Sequence, residues 1–208
     1  MNTWIETYTG AAVNPFHFSV DDVNIVDIAH SLSLTCRFGG HCNQFYSVAE
    51  HSIRCVDAMA ELKPTFYNEF PYFLMFALLH DAAEAYFVDI PAPIKPHIPF
   101  VKDIERNIDE AVRKKFKLDH EALFLTPYID VLDIEADVKK VDQIILATEA
   151  RDLGMNRDGK WSLNFSPLER TIVPMTSNDA KRAFLDLFYD FEEMLLKYIA
   201  NYNSFCSS

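Results

Sequence analysis

The sequence predicts an all-α, single-domain helical bundle, and three observations carry that expectation. Apolar residues recur with a helical period along most of the chain, and no strongly alternating strand pattern lasts long. Only five glycines interrupt 208 residues. Half of the residues are hydrophobic and 13% are aromatic, enough in a chain of this length to bury one substantial core. The domain is expected to span residues 1–208. Its core covers about 23–153, and a C-terminal helix over about 178–203 packs on it.

The first helix is expected over about Val23 to Thr35, with Ile25, Ile28, Ala29 and Leu32 on one face and Asp21 or Asp22 as the N-terminal cap. The loop Cys36-Arg37-Phe38-Gly39-Gly40-His41 ends it, because paired glycines break a helix. Ser47-Val48-Ala49-Glu50 has the form of a capping box and opens a second helix to about Leu62, with His51 in its first turn. Pro71 suits the first position of a third helix, expected to carry His80, Asp81 and Glu84. The run from Asp89 to Pro99 holds four prolines and reads as a stiff, non-helical connector. Ile104, Ile108, Val112 and Phe116 repeat every four residues on the next helix, and another runs from about Ile134 to Leu153, with Gly154 as its stop. Residues 155–176 form a polar and aromatic loop around Trp161, Pro167 and Pro174. The last helix starts near Asn178 and lines up Phe184, Leu187, Phe188, Phe191, Leu195 and Tyr198.

Composition excludes several classes of function. The formal net charge is −12, so a polyanion is repelled at long range and a role in coating nucleic-acid polymers is not expected. Cysteines 36, 42, 55 and 206 match no zinc-ribbon spacing, and the chain is too large and apolar to need a disulfide framework, so they read as reduced thiols in a cytoplasmic protein. The N-terminus lacks a basic and an apolar signal region, and no apolar run reaches transmembrane length, so no membrane partner is expected.

The chemistry centres on His80-Asp81, set in the apolar stretch Ala77-Leu78-Leu79-His80-Asp81-Ala82-Ala83-Glu84-Ala85. Burying both side chains without a partner would be costly. With His51 and Asp142 they make an imidazole and carboxylate donor set with no thiolate, suited to one divalent ion such as Zn, Co or Mn, with a second Mg entering alongside substrate phosphates. Positions four apart share a helix face, so Glu84 is expected beside His80 as a proton acceptor or donor, and Asp89 is a second acid or base. Arg37, Lys95 and His41 are the counter-charges available for phosphate, and Phe38 could stack on a base or a sugar. Taken singly, each has a plainer reading. His51 suits a helix start, and Asp142 follows two lysines on a solvated face. Arg37 could pair with Asp27 or Glu50, Lys95 could be a solvated loop residue, Phe38 could be core, and Glu149 could pair with Arg151. His17, His30, His97 and His120 read as structural or exposed.

The order His51, His80-Asp81, Asp142 resembles the ligand order of the HD-domain phosphohydrolase superfamily. The stretches Cys36 to His41, Tyr46 to Ser52, Leu79 to Tyr86, Asp89 to Lys95 and Ala147 to Leu153 resemble its small nucleotide hydrolases. Among these are bacterial 5′-deoxynucleotidases and phage dATP triphosphohydrolases of the DatZ type. The resemblance covers residues from about 23 to 153. It implies an HD-domain bundle in which His51, His80, Asp81 and Asp142 hold the metal. It further implies that Glu84 aligns the attacking water, Asp89 assists as acid or base, and Arg37 and Lys95 hold phosphate. Phe38 departs from the Trp that related deoxynucleotidases carry near the sugar.

The function expected on this basis is metal-dependent hydrolysis of small-molecule deoxynucleotides, with dATP triphosphohydrolase first and 5′-deoxynucleotidase second. A di-iron oxygenase would need more histidine ligands than His97 and His120 offer. A non-catalytic metal-stabilised binding protein would have no use for Glu84. Aromatic surface on the last helix and the Trp161 loop leads to the expectation of a homo-oligomer.

Overall fold

The computed structural model describes residues 3–62, 71–119 and 131–206, with side chains over 3–62, 71–119 and 134–200; His120 and the Cys206 side chain lie outside them. The chain is all-α: helices make up 62% of it, and the sheet is a two-stranded hairpin. The hairpin was not expected from the sequence. Strands β1 (Ile5–Glu6) and β2 (Ala12–Val13) pair antiparallel, with Ile5 opposite Val13. It docks on the first helix because Thr9 donates from its backbone N–H and its hydroxyl to the two oxygens of buried Asp27, at 2.7 and 2.9 Å.

Helix α1 is Ile25–Leu34. Its cap is Asn24, whose Oδ1 accepts from Val26 N–H at 2.8 Å; Asp22 instead accepts from Ser19 across the short 3-10 turn before it. Helix α2 is Val48–Leu62. Ser47 Oγ accepts from Glu50 N–H at 3.1 Å, but the Glu50 side chain does not complete the box: it pairs with Arg54 and accepts from Met175 N–H.

Helix α3 is Pro71–Leu79, buried along its whole length, and α4 is the single turn Glu84–Phe87. The one continuous helix expected through His80, Asp81 and Glu84 is therefore broken. His80 Nδ1 hydrogen-bonds Ala77 O at 2.8 Å, taking the carbonyl that the next residue's N–H would use in an α-helix. The N–H groups of Ala82 and Glu84 bond three residues back, to Leu79 and Asp81, so the chain tightens through residues 80–83.

The proline-rich connector is non-helical except for a 3-10 turn at Lys95–His97. Helix α5 is Val101–Lys115, with Ile104, Ile108 and Val112 buried; α6 is Val131–Asp152; and α7 is Ser177–Cys206. Thr176 caps α7, accepting from Asp179 N–H. Helix α2 lies between α3 and α6, and α7 crosses α1, α2 and α3 and closes the core with Phe184, Phe188, Phe191 and Leu195. No helix among the described residues is long and apolar enough to cross a membrane.

The loop over 155–176 is pinned to the bundle by helix side chains. Thr148 Oγ1 accepts from Leu168 N–H, Asp152 from Ile172 N–H and Glu50 from Met175 N–H, each at 2.8–2.9 Å. Gly154 makes the sharp exit from α6 with φ +71°, and a Cβ there would run into the Asn43 side chain.

Candidate metal centre

Three helices bring the four predicted ligand side chains together. His51 comes from the first turn of α2, His80 and Asp81 follow the last residue of α3, and Asp142 comes from the middle of α6. His51 Nε2 lies 3.3 Å from His80 Nε2, 3.2 Å from Asp142 Oδ1 and 3.7 Å from Asp81 Oδ2. His80 Nε2 lies 3.3 Å from Asp81 Oδ2.

Both imidazoles are oriented from behind. A carbonyl can only accept, so His80 donates from Nδ1 to Ala77 O and turns its Nε2 to the cluster. His51 donates from Nδ1 to Glu149 Oε1 at 2.6 Å, with both side chains wholly buried. A carboxylate behind a histidine fixes its tautomer and raises its basicity, the usual support of a metal-binding imidazole. The plainer pairing of Glu149 with Arg151 does not form, because Arg151 pairs with Asp152 at the surface. The helical spacing explains this: Glu149 lies on the buried face of α6, two turns past Asp142. Arg37 pairs with neither Asp27 nor Glu50. Its guanidinium joins Asp81 at 3.4 Å and Glu149 at 3.3 Å, tying the loop before α2 to the cluster.

The crowding perturbs every group. Burial lowers the basicity of His80, but the Asp81 carboxylate outweighs it and carries the imidazole up to about 10. Burial and Arg37 oppose the charge on His51, yet Cys55, Glu149 and Asp142 leave it well above its ordinary value. Burial raises Asp142, but the bond to His51 wins and holds it at about 2; Asp81 is likewise held far below the carboxylate range by His80, against its burial. Protons are thus trapped among four donor groups, the pattern that a cation relieves.

Cys55 is a residue of the cluster that sequence reasoning missed. It sits one turn after His51 on α2, wholly buried, with Sγ 3.5 Å from His51 Nε2. The ligand atoms of His51, Cys55 and His80 lie within 4.8 Å of one another, and this cluster could hold a metal ion. The i, i+4 spacing of His51 and Cys55 was the available signal.

The remaining predicted residues divide. Glu84 is buried. Its Oε1 meets Lys95 Nζ at 3.3 Å, and its Oε2 is buried with no hydrogen-bond partner among the described residues. Burial, then the charges of Asp81 and Asp89, push its carboxyl up to about 8. Asp89 is partly buried and raised for the same first reason, against the pull of Arg37. Lys95 is held between Glu84 and Glu105, 2.9 Å from the latter. Phe38 sits with φ 58° under the Arg37 guanidinium, 5.4 Å from it, and faces Trp161 at 6.0 Å. His41 is exposed at the end of this loop, and no contact joins its ring to the cluster among the described residues. Asp109, which the sequence did not single out, lies in a cavity that His80 and Asp142 border; burial carries it up to about 7 despite Arg113.

No family model matches the sequence. The uncharacterized protein YfdR of Escherichia coli (strain K12) is 37% identical over 195 residues, covering 92% of this chain and 97% of that one. An uncharacterized protein of Rhodobacter capsulatus is 27% identical over 153 residues, 72% of each chain.

Proposed function

We propose a function for a chain that belongs, by its match along nearly the whole length of both proteins, to the family of the Escherichia coli protein YfdR. That function is metal-dependent hydrolysis of phosphate esters or anhydrides, with deoxynucleotides as substrates and dATP as the preferred one. It places the chain among the HD-domain phosphohydrolases. The observation that carries it is the convergence of His51, His80, Asp81 and Asp142, with both imidazoles turned inward by Glu149 and Ala77 O.

The donor set fits one divalent ion. Two neutral nitrogens and two carboxylates suit Zn, Co or Mn, and they are arranged so that each histidine presents a lone pair. Asp81 and Asp142 are preferred to Cys55 as the remaining ligands because their side chains are 21% and 30% exposed and so line the side from which a substrate arrives, whereas Cys55 is sealed in the core. A divalent ion held there would polarise a phosphoryl oxygen and lower the pKa of a water, supplying the electrophile and part of the nucleophile.

The chain's own groups supply the rest. Glu84 Oε2 is buried with no hydrogen-bond partner among the described residues, and burial pushes its carboxyl up to about 8, close enough to neutral pH for it to exchange a proton with water. Its role is to orient that water and take its proton. Lys95 holds Glu84 in place through Oε1 and brings a positive charge to the same spot; Asp89 is the second acid or base. Arg37, anchored by Asp81 and Glu149, offers its guanidinium to phosphoryl oxygens. Hydrolysis of monophosphates, as by a 5′-deoxynucleotidase, uses the same groups and is the second reading.

The test is a panel of deoxy- and ribonucleoside mono- and triphosphates assayed with Zn, Co, Mn and Mg. Deoxynucleotide turnover that falls by roughly 10²–10⁴ in Glu84→Gln, with metal still bound, is the expected result. Turnover of Glu84→Gln at the wild-type rate would overturn the role given to this side chain.

A further inference from the structure

Cys36 and Cys42 bracket the loop that carries Arg37, and they lie outside the His51, Cys55 and His80 cluster. Both are partly exposed free thiols, and their sulfurs lie 3.8 Å apart. The fold holds them there from both ends. Cys36 makes an antiparallel bridge to Ser47, and Arg37 N–H donates to Tyr46 O at 2.9 Å. On the other side, Asn43 N–H donates to Leu153 O at 2.9 Å, which fastens the chain after Cys42 to the exit from α6. Between these anchors Phe38, Gly39 and Gly40 have φ of 58°, 58° and 77°, so the loop turns back on itself and brings the sulfurs together.

We propose that Cys36 and Cys42 are a reversible modification site, which a small-molecule disulfide of the glutathione type converts to a protein disulfide that fixes the Arg37 loop. The inference is independent of the proposed hydrolase activity. The step balances as a thiol–disulfide exchange. One protein thiolate attacks the incoming disulfide and releases one small thiol. The second protein thiolate attacks the mixed disulfide and releases the other. The reagent's S–S bond breaks, the protein's S–S bond forms, and the two protein thiol protons end on the two departing thiols. Geometry favours closure, because a disulfide needs about 2.05 Å between its sulfurs and each has to move by only about 0.9 Å. What is given up is the bond from Cys42 Sγ to Gln44 O at 3.1 Å, and a thiol is a weak donor. Burial and the adjoining Cys36 sulfur raise the Cys42 thiol, so the pair rests reduced until such a reagent reaches it. Cys55 is wholly buried and out of reach of a peptide-sized reagent. The consequence falls on Arg37. Its guanidinium ties Asp81 to Glu149, so a covalent staple across residues 36–42 stiffens the loop from which that tie is made.

The test incubates the folded chain, in a Cys206→Ser background, with oxidised glutathione, then alkylates it and maps its peptides by mass spectrometry. The expected product is a Cys36–Cys42 link, lighter by two hydrogens, with no lasting glutathione adduct and with full reversal by dithiothreitol. Cys36→Ser and Cys42→Ser each lack the second thiol, so each is expected to keep glutathione on the cysteine that remains. Hydrogen exchange reads the restraint. The amides of residues 38–42 are expected to exchange on the order of tenfold more slowly in the oxidised protein than in the reduced one, a change absent from Cys42→Ser treated in the same way. Lasting adducts at both cysteines, free thiols at both, or a link to Cys55 or to a second chain overturns the site. A Cys36–Cys42 bond that leaves amide exchange unchanged overturns the restraint on the Arg37 loop.

Discussion

Glu149 illustrates how one side chain can govern a site it does not enter. It is wholly buried, holds His51 at 2.6 Å and anchors Arg37 at 3.3 Å. Burial should raise its carboxyl, but Arg37 and His51 keep it below the ordinary range, so it stays charged and can only accept. Glu149→Gln is expected to weaken metal affinity by about 10–100-fold, because the amide can turn an N–H toward His51 and favour the wrong tautomer. Competition with a chromogenic chelator measures this; affinity equal to the wild type would remove Glu149 from the account. His51, His80, Asp81 and Asp142 were legible in sequence because each is a donor type in a recognisable order. Glu149 was not, because an interior glutamate declares its partner only once α2 and α6 are packed together.

At the scale of elements, α5 and α7 could be read directly, since their apolar residues recur on one stripe while the opposite faces are charged. The break after α3 could not. Ala82 and Ala83 are strong helix formers, and nothing local forecasts that His80 would capture the Ala77 carbonyl and tighten the chain. The hairpin at residues 5–13 was equally hidden, for two-residue strands carry no alternation to detect and depend on Asp27 for their anchorage. The end of α6 makes a prediction of its own. Gly154 has φ +71° and Asn43 packs where a Cβ would stand, so Gly154→Ala meets both a backbone penalty and a clash. We expect it to lower stability by roughly 1–2 kcal/mol in urea denaturation, by a mechanism that leaves the donor cluster's chemistry alone. No loss of stability would mean that the loop from residue 155 is not held as described.

For the molecule as a whole, the cluster would couple stability to pH, and a bound cation would oppose the slope. In the metal-free protein His80 is raised from 6.5 to about 10, so its contribution is complete below pH 6.5 and disappears as the pH climbs through 10. Glu84, raised from 4.5 to about 8, acts in the same direction and loses its contribution as the pH passes 8. Asp142, held at about 2, has the opposite sign, but its contribution is lost only as the pH falls through 2, outside this range. The metal-free chain should therefore melt at progressively lower temperature from pH 6.5 to 10. A cation competes with the same protons, so at fixed metal concentration the increment it adds should grow over that interval, and it amounts to about 2.7 kcal/mol wherever free metal is 100 times the Kd at that pH. Calorimetry with and without a chelator checks both slopes; parallel slopes would contradict the coupling.

Metal content reports directly whether His51, His80, Asp81 and Asp142 hold an ion together. We expect one equivalent of a transition ion per chain in the purified wild type, retained in Cys55→Ser and lost in Asp142→Ala and His51→Ala. An ion that survives Asp142→Ala but disappears in Cys55→Ser would contradict it, and would transfer the centre to the His51, Cys55 and His80 cluster in the core.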